Sequence, residues 1–318
     1  MRILNTDISY GSTVLNLDIA KLFTRTSLDV PVIIERSKKA GPTLLLIAGI
    51  HGNEVNGVEI VRQIIKSQYN VPQCGTVICI PVVNVFGFLN QDRKFPDGRD
   101  LNRVFPGTKQ GSLASRFAYH IMQEIIPHID YCIDFHTGGA SRFNYAQVRI
   151  DKNDKESLDL AKTFGARFII ESKNRDKTIR EAMIKLGKKV VLFEGGKSLH
   201  LDKHVTQEGI SGTIKIMHYL GMRNYSAEIA EMNLDTKQFL IKKSVWLRAN
   251  FSGMYRRFVS IGRAIKDKQV LGSISDPYGE FEKPVKSKYN GFIICSNHSP
   301  LVNQGDALIH VSTQHEEL

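Results

Sequence analysis

His51 and Glu54 stand three residues apart at the end of an uncharged apolar run, Leu44 to Ile50, with Gly52 between them. An imidazole nitrogen and a carboxylate oxygen brought together by a tight turn can bind one cation, and zinc accepts both donor types. A catalytic zinc site needs three protein ligands and an open position, so a third ligand must come from elsewhere in the chain. His136 has a similar setting: it closes the strand-like run Tyr131 to Phe135, apolar apart from Asp134, and is followed by Thr137-Gly138-Gly139. Glu194 repeats the pattern in Val191-Leu192-Phe193-Glu194-Gly195-Gly196. A carboxylate so placed suits a general base acting on water. Between these points the loop Asp92 to Gly107 mixes Gly, Pro and charge, and carries Arg93, Arg99 and Arg103. Such arginines could hold carboxylates bidentately or stabilise an oxyanion; a solvated charged loop is the plainer alternative.

Residues 80 to 140 apart in sequence converge only if an architecture collects them. An apolar run of strand length without charge reads as a strand buried on both faces, as in a parallel sheet. After Glu54, residues Val55, Val58, Val61, Ile64 and Ile65 recur at helical spacing, so a strand passes into a helix at the His51 turn. Parallel strands deliver their C-terminal ends to one sheet edge, where ligands bind in α/β folds. Further strands are expected at Thr76 to Val83, Phe168 to Glu171 and Val190 to Phe193. Helices are expected at 112–127 with Ser112 as N-cap, at 154–164, 178–186 and 204–220. Residues 12–36 alternate as a short antiparallel meander would. The fold class is therefore α/β, a mostly parallel or mixed sheet flanked by helices. Beyond about residue 236 the runs are short and turn-rich, which predicts a small all-β domain; the expected division is 1–235 and 236–318.

The composition, 42% apolar and 24% charged, is that of a globular chain. No uncharged apolar run approaches the roughly 18 residues that span a bilayer, and Met1 to Tyr10 lacks the pattern of a secretory leader. A cytoplasmic location and no membrane partner are expected. Cys74, Cys79, Cys132 and Cys295 show no CxxC spacing, which excludes a disulfide framework or a structural zinc knot. The net charge is +11, and residues 237–290 alone hold twelve Lys or Arg against four Asp or Glu. Those cations alternate with apolar residues, so a solvated sheet face is favoured over a nucleic-acid surface.

Taken in order, His51-x-x-Glu54, Asp100-Leu101-Asn102-Arg103, Asp134-Phe135-His136 and Phe193-Glu194-Gly195-Gly196 resemble the succinylglutamate desuccinylase/aspartoacylase family, relatives of the zinc carboxypeptidases. The resemblance covers roughly residues 40 to 220, and four motifs in sequence are far more specific than one. It implies that His51, Glu54 and His136 bind one zinc per chain and that Glu194 is the base. It also implies that Asn102 and Arg103 grip a substrate carboxylate and that Arg93, with Arg99 the alternative, stabilises the oxyanion. The second domain is expected to be a small lipoyl-like barrel. The tyrosine and arginine that read the aspartoacylase substrate side chain have no counterpart at the expected place; Arg175 and Arg180 lie only near it.

The expected activity is hydrolysis of the amide in a small, carboxylate-bearing N-acyl amino acid, with a homo-oligomer allowed. A zinc carboxypeptidase removing C-terminal residues, glutamates among them, from a peptide is the alternative within the same chemistry. A non-catalytic lipoyl-like binding protein is the alternative of another class.

Overall fold

The computed structural model describes residues 1–21, 25, 27–151, 154–232 and 237–318. The unbroken apolar run at 44–48 makes a strand with two buried faces. Leu45 and Ile47 enter one core with Phe117 and Ile121, while Leu44, Leu46 and Ala48 enter a second core with Ile60, Ile64 and Phe193. A side-chain period of two divides one run between two helical layers.

In chain order the elements used below are β1 (Gly11–Lys21), β2 (Ser27–Arg36), β3 (Thr43–Ala48), α1 (Val55–Lys66), β4 (Thr76–Ile80), α2 (Leu113–Glu124), β5 (Tyr131–Gly138) and β6 (Arg142–Ile150). They continue with α3 (Lys155–Phe164), β7 (Phe168–Glu171), α4 (Ile179–Lys185), β8 (Lys189–Lys197) and α5 (Lys203–Tyr219). Then come β9 (Phe239–Arg248), β10 (Gly253–Arg257), β11 (Val270–Ser275), β12 (Glu282–Lys286), β13 (Gly291–Asn297) and β14 (Ala307–Glu317).

Among the described residues one sheet of twelve strands runs β1-β2-β4-β3-β5-β8-β6-β7-β9-β14-β13 and ends on the two-residue strand Ala264–Ile265. Its centre, β4-β3-β5-β8, is parallel. β6 runs antiparallel to β8, and β2 antiparallel to β4, so the sheet is mixed. Helices α1, α3 and α5 cover one face and α2 the other, each with an apolar stripe on the sheet: Ile60, Val61 and Ile64 for α1, Phe117, Ala118 and Ile121 for α2. Ser112 caps α2 by accepting from the Ser115 N–H, as its place before the apolar period predicts.

The expected meander at 12–36 is the antiparallel pair β1–β2, with residues 22–24 and 26 outside the described part. Strand β6 was not anticipated from the sequence, because a bulge interrupts its alternation. From Phe239 onward the described residues form strands and turns only. A second sheet, β12-β11-β10 with Leu301–Val302, faces the end of the first across a core of Leu247, Tyr255, Leu271, Ile274, Ile293, Leu308 and Val311. This region is bound to the rest through backbone pairing, β9 with β7 and β13 with β6. The expected boundary at 235/236 lies outside the described residues. No helix among the described residues is long and apolar enough to cross a membrane, and the four cysteines are free.

Candidate metal centre and catalytic cavity

Strand β3 ends at Ala48, and Gly49 turns the chain with φ +64°, a conformation that costs glycine little. The Glu54 N–H then closes a turn on the His51 carbonyl at 3.1 Å. Gly52 between them lies so close to Gly87 that a Cβ would sit 1.9 Å from its carbonyl carbon, so no larger residue fits this turn. Glu54 occupies the N-cap of α1 but makes no capping bond with its side chain. That carboxylate is spent on the site instead.

Glu54 Oε2 accepts from the Thr137 N–H at 3.0 Å and faces His136 Nδ1 at 2.9 Å, while Oε1 lies 2.7 Å from His51 Nδ1 and 3.2 Å from Arg93 Nη1. The two far imidazole nitrogens are also engaged. His51 Nε2 is 3.1 Å from Asp100 Oδ1, and His136 Nε2 is 3.0 Å from Asp134 Oδ2. A carboxylate only accepts, so each Nε2 carries a proton, and Nδ1 is the nitrogen that each ring turns inward toward Glu54. His51 Nδ1, though close to Glu54, lies off the direction a hydrogen bond requires and has no hydrogen-bond partner.

Two imidazoles and a carboxylate, all buried, thus converge with their ligand atoms within 4.8 Å of one another. Acceptors facing acceptors in a dry site repel unless a cation lies between them. Without a metal, a proton on His136 supplies part of that positive charge. Burial alone would raise the Glu54 pKa, yet the two histidines hold it well below the usual carboxylate range. Burial would lower His136, yet Asp134 and Glu54 hold it well above the ordinary histidine value. Asp100, which burial would raise, is likewise held low by His51 and Arg93. Two nitrogens, one oxygen and outer carboxylates on both rings fit zinc rather than magnesium or calcium, which prefer all-oxygen shells.

The remaining candidates line one cavity of about 890 Å³ around this cluster. Arg93 is clamped, Nε and Nη2 donating to Asp100 Oδ2 at 3.1 and 2.9 Å and Nη1 to Glu54. Arg99 is not brought in: it is exposed, 3.5 Å from Asp97, and does not line the cavity. Asn102 and Arg103 both line it, in the short turn Leu101–Arg103 that Asp100 caps. The Asn102 side-chain carbonyl accepts from the Ile179 N–H at 2.9 Å, fastening this loop to the start of α4. Burial, the leading influence on Arg103, lowers its pKa. Glu194 stands opposite His136 in the parallel register of β8 on β5. One of its oxygens accepts from Asn144 Nδ2 at 2.7 Å, and the other is 3.6 Å from Arg149 Nε. Arg175 and Arg180 also line the cavity, Arg180 buried.

Several residues of this site escaped the sequence reading. Asp100 and Asp134 were seen only as motif members; the i, i+2 spacing of Asp134 and His136 on one strand face is the signal that could have given Asp134 its role. Asn144, Arg149, Trp246 and Cys295 were not singled out, and they reach the cavity from β6, β9 and β13.

A profile of the succinylglutamate desuccinylase/aspartoacylase catalytic domain matches residues 40–220, more than half of the chain. The chain belongs to the succinylglutamate desuccinylase/aspartoacylase family. It is 26% identical over 305 residues, 91% of its own length and 87% of the relative's, to the N-alpha-acetyl-L-2,4-diaminobutyric acid deacetylase of Halomonas elongata. Among solved structures it superposes on a succinylglutamate desuccinylase/aspartoacylase from Rhodobacter sphaeroides with a TM-score of 0.85 at 21% identity, over 100% of this chain and 99% of that one. It also superposes on the product-bound ectoine utilization protein EutE (DoeB) from Ruegeria pomeroyi, with a TM-score of 0.81 at 21% identity over 96% of each chain. At such identities the structural likeness speaks for the fold.

Proposed function

We propose that this protein is a zinc-dependent amidohydrolase that removes the acyl group from a small, carboxylate-bearing N-acyl amino acid. The observation that carries this reading is the inward-facing His51, Glu54 and His136 set, each ring backed by its own carboxylate, in one cavity with Glu194. Zinc held by these three would supply a Lewis acid and ease deprotonation of the attacking water. The chain's own residues do the rest. Glu194 takes the proton of the attacking water and hands it to the departing amine, the double duty of a positioned acid/base. Arg93, fixed by Asp100 and Glu54, donates to the oxygen on which charge develops. Asn102 and Arg103 hold the substrate carboxylate, which orients the amide. Arg93, Arg103, Arg142, Arg149, Lys173, Arg175 and Arg180 line the cavity against Glu54, Asp134, Asp176 and Glu194. That excess of cations favours an anionic substrate, and disfavours the basic side chain named for the Halomonas relative. We further infer that β9 to β14 make up a lipoyl-like barrel serving as a wall of the cavity, which supports an enzyme over a free-standing binding module. A cytoplasmic location and one zinc per chain belong to the same proposal.

Two experiments test it. Zinc-loaded protein is assayed against N-acetyl, N-succinyl and N-formyl amino acids beside peptides ending in glutamate; hydrolysis of peptides alone would convert the reading to a carboxypeptidase. Glu194→Gln keeps the shape of the side chain and removes the base, so zinc content should hold while kcat falls by roughly 10²–10⁴. Loss of zinc from a folded variant would make Glu194 a ligand and reopen the assignment of Glu54.

A further inference from the structure

Strand β6 pairs with β8 through an irregular register. Glu194 lies opposite Gln147, but Gly196 lies opposite Asn144, so three residue steps on β6 face two on β8. The extra residue on β6 is a β-bulge. In a regular strand Asn144 and Gln147, three apart, point to opposite faces. β8 is irregular over the same stretch, its register on β5 also shifting between Glu194 and Lys197 with Gly196 at φ +74°, so the two strands leave regular pleating together, and there Asn144 meets the Glu194 carboxylate. Arg149, two residues beyond Gln147 and opposite Leu192, is on the face that carries Glu194.

The consequence is visible at the carboxylate. Asn144 is 4% exposed, and its Nδ2 donates to Glu194 Oε2 at 2.7 Å. Arg149 Nε is 3.6 Å from Oε1, is buried, and has no hydrogen-bond partner. One carboxylate oxygen is therefore tied down and the other stays free beside a guanidinium. Asn144 is itself held from both sides, since β13 pairs with the outer edge of β6 at Cys295, directly opposite Asn144. The C-terminal strands thus brace the strand that holds the carboxylate.

We propose that Asn144 is a positioning residue for Glu194: it fixes the rotamer so that Oε1, not Oε2, is the oxygen offered to the attacking water, with Arg149 as its neighbouring counter-charge. The inference rests on the reading of Glu194 as the base. A charge-assisted bond of this length has a strong directional preference, and a misplacement of about 1 Å at a reacting group can cost about 10²-fold in rate.

A double-mutant cycle with zinc-loaded full-length protein tests it, using whichever N-acyl amino acid the panel finds hydrolysed. Asn144→Ala should lower kcat about 10–100-fold with KM within about threefold, and leave zinc content and circular dichroism unchanged. In the Glu194→Gln background the same change should have almost no further effect, because residues acting as a unit are non-additive. If Asn144→Ala does not fold, Asn144→Asp keeps the shape without the donor and should lose at least as much. Wild-type kcat in a folded Asn144 variant, or a loss repeated in full in the Glu194→Gln background, overturns the positioning role while Glu194 stands. Full activity of Glu194→Gln alone removes the base assignment, and the role of Asn144 falls with it.

Discussion

Asp134→Asn isolates the outer carboxylate from every other function of the site. The side chain is fully buried, touches His136 Nε2 at 3.0 Å through Oδ2, and leaves Oδ1 without a partner. Asparagine has the same shape, so packing in the β5 strand is preserved. The charge that holds the Nε2 proton is gone, and the amide can now present its NH₂ to Nε2, which would move the ring proton to Nδ1 and close the inward lone pair. Outer-shell changes of this kind cost about 10–100-fold in metal affinity. Complete burial argues for the upper end, because no water can stand in for the lost charge. A 100-fold weaker Kd removes about 2.7 kcal/mol of ligand stabilisation at any fixed zinc excess. With unfolding entropy near 2.1 cal/mol/K per residue, a chain of 318 residues should lose about 4 °C of zinc-dependent Tm gain. Chelator competition gives Kd, and thermal unfolding with and without zinc gives the shift. A Kd within about threefold of wild type, in a protein where His136→Ala abolishes binding, would refute the claim that Asp134 sets the ring's tautomer.

Two other outcomes are expected. Arg103→Lys keeps the charge but not the planar fork, so kcat/KM should fall about 10–100-fold; a substrate amidated at its carboxylate and cleaved as well as the free acid would count against this role. His310 lies face to face with Trp246 at 4.7 Å, and burial, then the Arg149 charge, pushes its pKa down to about 3. The unfolded chain takes up that proton near pH 6.5, so the stability involved is complete above that value and drains away toward pH 3, by about 2 kcal/mol at pH 5. Urea unfolding at pH 7 and pH 5 should show a flatter pH dependence in His310→Gln, and an unchanged slope would exclude the assignment.

The strand before His51 was legible because both its faces are buried, and an uncharged run of strand length has few other fates; those of His136 and Glu194 were legible as mainly apolar runs ended by glycines, although Asp134 interrupts the first and Leu192 and Glu194 are half-buried in the second. The convergence of His51, Glu54 and His136 was legible for a related reason: parallel strands leave their ends at one edge, and glycines mark those ends. Strand β6 was hidden because its bulge breaks the period of two that sequence reading counts, and it is this irregularity that brings Asn144 to Glu194. Asp100 and Asp134 were in view as motif letters, but a carboxylate behind an imidazole cannot be told from one in front of it without coordinates. Arg93 was preferred from the sequence with Arg99 as its alternative, and the loop's path adds that Arg93 reaches Glu54 while Arg99 stays beside Asp97.

Net charge shows the same contrast between composition and place. The surplus of cations in residues 237–290 invites a search for an anionic partner of the C-terminal strands, yet eleven of those twelve side chains are exposed and Arg257 is half-buried. They are dispersed over a solvated face, where ions screen them within about 8–10 Å. The cations that bear on chemistry are others. Arg93, Arg103, Arg149 and Arg180 converge on one cavity, partly or wholly removed from water, where a charge acts at a far lower effective dielectric. Among the described residues the Arg149 and Lys173 carbonyls accept from Arg180 at 3.3 and 3.4 Å, and burial followed by the Arg149 charge lowers its pKa against the opposing pull of Asp134, Glu194 and Asp151. A buried guanidinium whose hydrogen bonds go to carbonyls attracts an anion more strongly than a solvated lysine does. It is therefore the cavity, and not the +11 of the whole chain, that argues for an acidic substrate.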